Sequence, residues 1–226
     1  MIGINRGIGL GLGVARAGGA ALWYLAGGAP LPVAAYQPIG AASLAASYTN
    51  LANPGTYNAA PGVAPTFASA TGWTFNGSTQ YLTTGIVPQS NYSAIIRISD
   101  VTLRAYQIPF LVDNPLWQNA FGVTLTWGIV PPKTTYVYQS SAFVARDTTS
   151  GVVALSNYGY YNGVAETVQL STTINQTLPL YIGCRNQAGT RSMFLQGKIQ
   201  AFAIYNVLIS AAQVLAVTNA MNALTG

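Results

Sequence analysis

Between residues 198 and 206 the apolar side chains Ile199, Ala201, Ala203 and Tyr205 alternate with Gln200, Phe202, Ile204 and Asn206. One face of this period-two pattern is wholly apolar and the other largely so, as in a strand covered on both sides. Shorter runs of the same kind occupy 92–98, 108–112, 121–127, 134–139, 143–146 and 152–158, with turn-forming residues between them. Short strands at regular spacing predict an antiparallel sandwich of two sheets. Asn162-Gly163, set between Tyr160-Tyr161 and Val164, supplies the two residues tolerant of positive φ that a type I′ hairpin turn requires. The period then changes. Ser210 stands three residues before Gln213, a capping box, and Val214, Val217, Met221 and Leu224 recur at helical spacing. A short C-terminal helix on the sheets is predicted.

A different alternation opens the sequence. Ile2, Ile4, Ile8, Leu10, Leu12 and Val14 are interleaved with Gly3, Gly7, Gly9, Gly11 and Gly13, broken at Asn5-Arg6. A strand of this kind has one apolar face and one face bare of side chains, and ordering it alone costs more entropy than it returns. The expected role is an assembly arm that orders when it docks on a neighbouring subunit. A signal peptide ranks second, since Arg6, the apolar run over 8–14 and the later alanines imitate one until Arg16 interrupts. A membrane span ranks last, because Arg16, Pro30, Pro32 and many glycines interrupt the apolar residues. Residues 20–35 read as a short apolar piece closed by Gly27-Gly28 and two prolines, either a helical turn or a link from arm to body. The expected division is therefore an arm and linker over 1–35 and a body over 36–226.

Composition narrows the chemistry. Half of the 226 residues are hydrophobic, including 14 Tyr and 4 Trp, enough for one substantial core. Only 6% are charged, against roughly 25% in an ordinary soluble protein. The surface must be built from Asn, Gln, Ser, Thr and Gly, which suits strands, turns and packing against other subunits. The net charge of +5 comes from nine scattered cations and four acids. These cations neither cluster nor interleave with aromatics, so no nucleic-acid footprint is read.

No histidine is present, which removes His-based triads, imidazole metal sites and histidine pH switches. The lone Cys184 lies in an apolar run and reads as a small buried hydrophobe. Asp100, Asp113, Asp147 and Glu166 are each isolated in sequence. Glycoside hydrolysis needs two carboxyl groups roughly 5 to 9 Å apart, and the same-face neighbours of Glu166 on a strand are Val164 and Val168. The four acids read as solvated or turn-forming. The alternating glycines lack a phosphate-loop lysine, so neither a nucleotide nor any other cofactor is expected.

The order of segments resembles the laminin G-like, concanavalin A-like jelly roll. The closing half of that family reads "Y-x-N-G", then "I-G", then "G-x-I-x-x-F-x-I-Y-N-x-x-L-S". Here Tyr160 to Gly163, Ile182-Gly183, and the run from Gly197 through Tyr205-Asn206 to Ser210 follow it. Trp73, Phe75, Asn76-Gly77 and Tyr81 look like the family's opening "W-x-F-N/D-G-x-x-x-Y" hairpin, with Trp73 and Phe75 on one face. The segment over 35–55 resembles the one ahead of such domains in many bacteriophage structural proteins. Between 100 and 150 no family motif matches. The resemblance implies an all-β jelly roll, calcium at the rim in some relatives, and glycans held on aromatic side chains. Asp113-Asn114-Pro115 is the sole local calcium candidate and reads more simply as a turn. No metal site is expected.

Trp117, Trp127, Tyr136, Tyr138, Tyr158, Tyr160 and Tyr161 offer rings to a sugar, although Tyr and Trp also fill strands for packing alone. Tyr158, Tyr160 and Tyr161, beside the Asn162-Gly163 turn, are the glycan candidates, on the premise that a hairpin tip is exposed. The sequence thus predicts a non-enzymatic virion structural protein, a capsid decoration or a tail or head-fibre component. Its expected partners are other virion proteins and further copies of itself. The alternative is a carbohydrate-binding module, viral or secreted, that recognises a cell-surface glycan.

Overall fold

The strand expected over 198–206 runs from Gln196 to Tyr205, the longest among the described residues, and the rest of the fold is arranged around it. The computed structural model describes residues 22–226 apart from 103, 114–119, 126–133, 139–141, 146–148 and 170–175; the side chains of 134–138, 142–145 and 167–169 also lie outside the description. The assembly-arm residues Ile2, Ile4, Ile8, Leu10, Leu12 and Val14 fall outside the described residues.

In chain order, 3₁₀ turns at Trp23–Gly28 precede β1 (Ala34–Tyr36), the one-turn helix α1 (Leu44–Ser47), β2 (Ala60–Val63), β3 (Thr66–Ala68), β4 (Gly72–Asn76) and β5 (Tyr81–Thr83). Next come β6 (Ser93–Ser99), β7 (Phe110–Asp113), β8 (Phe121–Thr124), β9 (Thr134–Tyr138), β10 (Ala142–Ala145) and β11 (Gly151–Leu155). Last are β12 (Tyr158–Tyr161), β13 (Val164–Gln169), β14 (Tyr181–Ile182), β15 (Arg185–Gln187), β16 (Thr190–Ser192), β17 (Gln196–Tyr205) and helix α2 (Ala211–Asn222).

Two sheets result. The first runs β13-β12-β11-β6-β17-β4-β3 and the second β10-β9-β8-β7-β14-β5-β2, with the β15-β16 hairpin paired on β7. Along one edge β17 bonds to β6; its other edge is shared by β4, opposite Gln196 to Ile199, and β1, opposite Phe202 to Ile204. The pairing with β6 shifts between Ile199 and Ala201, a bulge at Gln200. Because a bulge displaces the alternation, Ile199 packs between the sheets with Phe202 and Ile204, while Ala201, Ala203 and Tyr205 face the other way. Simple alternation had placed Ile199 with the latter group.

The core between the sheets holds Trp73, Phe75, Leu82, Ile96, Phe110, Phe121, Ile182 and Phe202. A second apolar layer covers the outer face of the first sheet, where Val214, Val217 and Met221 of α2 meet Ile95, Val152, Tyr160 and Tyr205. The capping box at the start of α2 is formed as expected: Ser210 accepts from Gln213 N, and the Gln213 side chain accepts from Ser210 N. At its other end Arg97 Nη1 donates to the carbonyls of Met221 and Leu224 at 2.7 and 2.9 Å, a cation on the carbonyl end of the helix dipole. The fold is thus an all-β jelly-roll sandwich with a C-terminal helix laid across one sheet. Among the described residues no helix is long and apolar enough to cross a membrane.

Two sequence expectations change. Trp73 and Phe75 do share an inward face, but β4 and β5 belong to different sheets, so Asn76-Gly77 begins a crossing and not a hairpin turn. Asn76 Oδ1 caps that crossing by accepting from the backbone of Ser78 and Thr79 at 2.9 and 3.0 Å. The segment read as a turn or link before residue 36 is built into the body. Trp23 and Tyr24 are buried against the α2 layer, and Ala34 and Ala35 are zipped to β17.

Candidate functional site

The three hairpin tyrosines do not form one surface. The turn itself is as predicted, with φ of 49° at Asn162 and 81° at Gly163. Its tip, however, lies against α2: a Cβ built on Gly163 would come 2.6 Å from Leu215 Cδ1. Tyr160 is only 3% exposed and sits in the layer under the helix. Burial, with a lesser contribution from Tyr158, pushes its hydroxyl above the ordinary tyrosine range. It presents no ring face to a sugar. Tyr161 points to the opposite side, half-buried against the inter-sheet core, and its hydroxyl donates to Ser150 O at 2.8 Å. Tyr158 is half-buried on the side of Tyr160. Trp117 and Trp127 lie outside the described residues, as do the side chains of Tyr136 and Tyr138.

Asp113 is neither solvated nor a turn residue. It ends β7 wholly buried, with both carboxylate oxygens accepting from Arg185, from Nε at 2.9 Å and from Nη2. A carboxylate facing a guanidinium in this way is not oriented toward a rim cation, and Asn114 and Pro115 lie outside the described residues. Asp100 accepts from Lys198 Nζ at 2.6 Å at the surface. Glu166 is half-buried on β13, and Asp147 lies outside the described residues. No group of three or more Cys, Asp or Glu comes together among the described residues. Cys184 is buried, and desolvation pushes its thiol up to about 12.

A groove does form at one end of the sandwich, where three connections meet: the crossing after β4, the link from β6 to β7, and the step from β16 to β17. Its volume is about 450 Å³ and its lining is Gly77, Ser78, Arg104, Ala105, Tyr106, Met193 and Phe194. The walls are tied together by backbone. Phe194 bridges to Ile108, Thr102 N donates to Gln196 O at 2.9 Å, and Gln196 N donates to Gln107 Oε1 at 2.6 Å. Arg104 Nη2 donates to Gly77 O. Tyr106 and Met193 hold φ of 58° and 55°, a left-handed conformation that costs roughly 1 to 2 kcal/mol in a non-glycine residue. Strain of this kind clusters at functional sites and is maintained by the surrounding fold. Beneath Met193, its sulfur lies 3.9 Å from Nη1 of the buried Arg185.

Chemically the groove offers two aromatic rings, a thioether, the hydroxyls of Ser78 and Tyr106, and one guanidinium, with no carboxylate among its lining residues. Such a mixture fits a ligand with apolar C–H faces and a hydroxylated edge. Sequence reasoning missed it. Arg104 and Tyr106 fall in the stretch without motifs, and Phe194 lies about 90 residues further on, so only the topology brings them together.

A second cluster lies on the outer face of the second sheet. Tyr81 and Tyr181 flank the inward-pointing Leu82 and Ile182, so strand alternation turns both outward. Their ring centroids are 5.3 Å apart. Arg191 of β16 reaches over Tyr81, its Nη1 donating to Tyr81 Oη at 2.8 Å and its Cζ lying 5.3 Å from the Tyr81 ring centre.

The sequence matches no protein-family model and no curated protein. Solved structures do share the fold. Domain 4 of AbnA, a GH43 extracellular arabinanase from Geobacillus stearothermophilus, in complex with arabinotriose, aligns with a TM-score of 0.52 at 14% identity, covering 83% of this chain and 98% of that one. The Trypanosoma rangeli sialidase in complex with 2,3-difluorosialic acid aligns with a TM-score of 0.54 at 12% identity over 87% of this chain and 34% of that one. The same sialidase with sialic acid gives 0.54 at 10% identity, so this chain spans about a third of the sialidase's length. At these identities the likeness establishes the two-sheet sandwich.

Proposed function

We propose that this protein is a non-enzymatic carbohydrate-binding module that acts outside the cell and holds a neutral sugar unit in the groove bounded by Tyr106, Phe194 and Arg104. The observation that carries this reading is the open groove itself, lined by Tyr106 and Phe194 beside Arg104, with left-handed backbone at Tyr106 and Met193. Support also comes from the fold shared with a complete arabinanase domain solved with arabinotriose. The non-enzymatic part rests on the acids. Asp113 is locked to Arg185, Asp100 is paired with Lys198, and no carboxylate lines the groove, whereas glycosidic cleavage uses two acids flanking the bond.

The test is calorimetry with neutral oligosaccharides, arabinotriose included. Tyr106→Ala or Phe194→Ala is expected to weaken binding by about tenfold or more, roughly 1.4 kcal/mol. Binding left unchanged by both substitutions would remove the groove from the account, and steady release of reducing ends would remove the non-enzymatic reading.

A second reading, a virion-associated protein anchored by residues 2–14, is favoured by the alternation of Ile2, Ile4, Ile8, Leu10, Leu12 and Val14 with glycine. In it the jelly roll is displayed outward by a homo-oligomer. Removing residues 1–21 is then expected to abolish incorporation into the particle while the sandwich stays folded; retained incorporation counts against it.

A further inference from the structure

Five cations fall among the described residues; two are paired with carboxylates, and the other three donate to neutral oxygens. Arg185 pairs with Asp113, Lys198 with Asp100, Arg97 caps the carbonyls of Met221 and Leu224, and Arg104 donates to Gly77 O. Arg191 is exposed, and its partner is the neutral phenol of Tyr81. That contact orients the guanidinium without neutralising it.

The orientation is firm. Tyr81 is only 8% exposed, and a Cβ at Gly62 would lie 2.0 Å from its Cζ, so the backbone of β2 lies directly against the ring. Tyr181 packs beside it. The ring is packed on that side, and Arg191 is hydrogen-bonded to its hydroxyl with Cζ 5.3 Å from the ring centre. A guanidinium presents a planar fork of N–H groups that matches a carboxylate, and one already held in place loses less entropy when an anion binds. The half-buried ring of Tyr181 adds an apolar surface next to the charge. Charge and ring together describe a receptor for a ring sugar that bears a carboxylate.

We propose that Arg191, set over Tyr81 and beside Tyr181, anchors the carboxylate of an acidic sugar on the outer face of the second sheet. This site is separate from the groove, though Met193 of the groove follows Arg191 by two residues, and it rests on the reading of the chain as a glycan-binding module. The ligand class is therefore an acidic glycan, of the uronate or the sialate type.

Two matched pairs test this by calorimetry: trigalacturonic acid against its methyl ester, and sialyllactose against lactose. Each is titrated into the full-length protein, into Arg191→Gln and into Phe194→Ala. In the unaltered protein one acid is expected to bind about tenfold tighter than its neutral counterpart, with the preference falling as salt rises. The pair that shows the preference identifies the sugar type. Arg191→Gln, with an unchanged denaturation midpoint, is expected to lose that preference and keep any binding of the neutral form. Equal binding of acid and neutral forms, a preference that survives Arg191→Gln, or no binding by either acid overturns the proposal. If neutral saccharides still bind and Phe194→Ala abolishes that binding, the groove reading stands without this one.

Discussion

Tyr205 Oη donates to the backbone carbonyl of Tyr24 at 2.8 Å, joining the end of β17 to the 3₁₀ turns that precede β1. Trp23 and Ala35 are buried in the layer around this bond, and Ala34 in the core between the sheets. Truncation at residue 36 would leave Tyr205 without its acceptor and open a cavity under α2. Trp23→Ala is expected to cost about 3 kcal/mol, in the range for large aromatic deletions, and a chain starting at residue 36 is expected to fail to fold cooperatively. Urea denaturation followed by tryptophan fluorescence checks both.

The Asp113–Arg185 pair gives a second expectation. Both side chains are buried, so removing one partner strands a charge in the interior. Asp113→Asn is expected to destabilise by about 3 to 5 kcal/mol, while a joint Asp113→Leu/Arg185→Met replacement is expected to cost much less. Because Arg185 lies against Met193, the single substitution should also weaken saccharide binding. A double-mutant cycle in urea, with calorimetry on each variant, measures both effects.

Ala188 occupies the exposed turn between β15 and β16 with φ of 48°. An alanine there carries left-handed strain that glycine or asparagine avoids. Ala188→Gly is expected to stabilise the protein by about 0.5 to 1 kcal/mol, net of glycine's extra chain entropy. The opposite outcome is expected at Gly163, where φ is 81° and a Cβ would strike Leu215. Gly163→Ala should lower the thermal midpoint.

Alkaline pH should unfold the protein through groups that burial keeps protonated. Desolvation raises the Cys184 thiol from 9.0 to about 12, with a smaller opposing effect from Arg191. Burial also lifts the Tyr36 and Tyr205 hydroxyls well above the ordinary 10.0. Below pH 9 these groups are protonated whether the chain is folded or not, so their contribution is complete. Above it the unfolded chain releases protons that the folded chain retains, and stability falls as pH climbs through 9 and 10 toward the folded values. Tyr205→Phe is expected to flatten this slope even though it loses a hydrogen bond at neutral pH. Denaturation midpoints between pH 7 and about 11 read it out, and Cys184 should resist thiol reagents at pH 8 until the protein unfolds.

What the sequence made legible was whatever depends on local period. The alternation over 198–206, the Asn162-Gly163 turn and the Ser210/Gln213 cap each produced the expected element. The displaced side chains of Ile199 were hidden because a bulge needs knowledge of the partner strand, and β6 lies about a hundred residues away. Tyr160 was expected at an exposed tip, yet its side chain turns into the layer under α2, which only the tertiary fold reveals. The Asp113–Arg185 pair and the groove of Arg104, Tyr106 and Phe194 were illegible for the same reason. Their members are separated along the chain and meet only when the sheets close.

The position of β17 in the middle of the first sheet governs how the protein can be made. Strands β1, β4 and β6 are synthesised long before the strand that bonds to all three. Contacts between such distant parts of the chain slow folding. During synthesis the sandwich therefore stays open until β17 emerges, with the apolar faces of the earlier strands awaiting it.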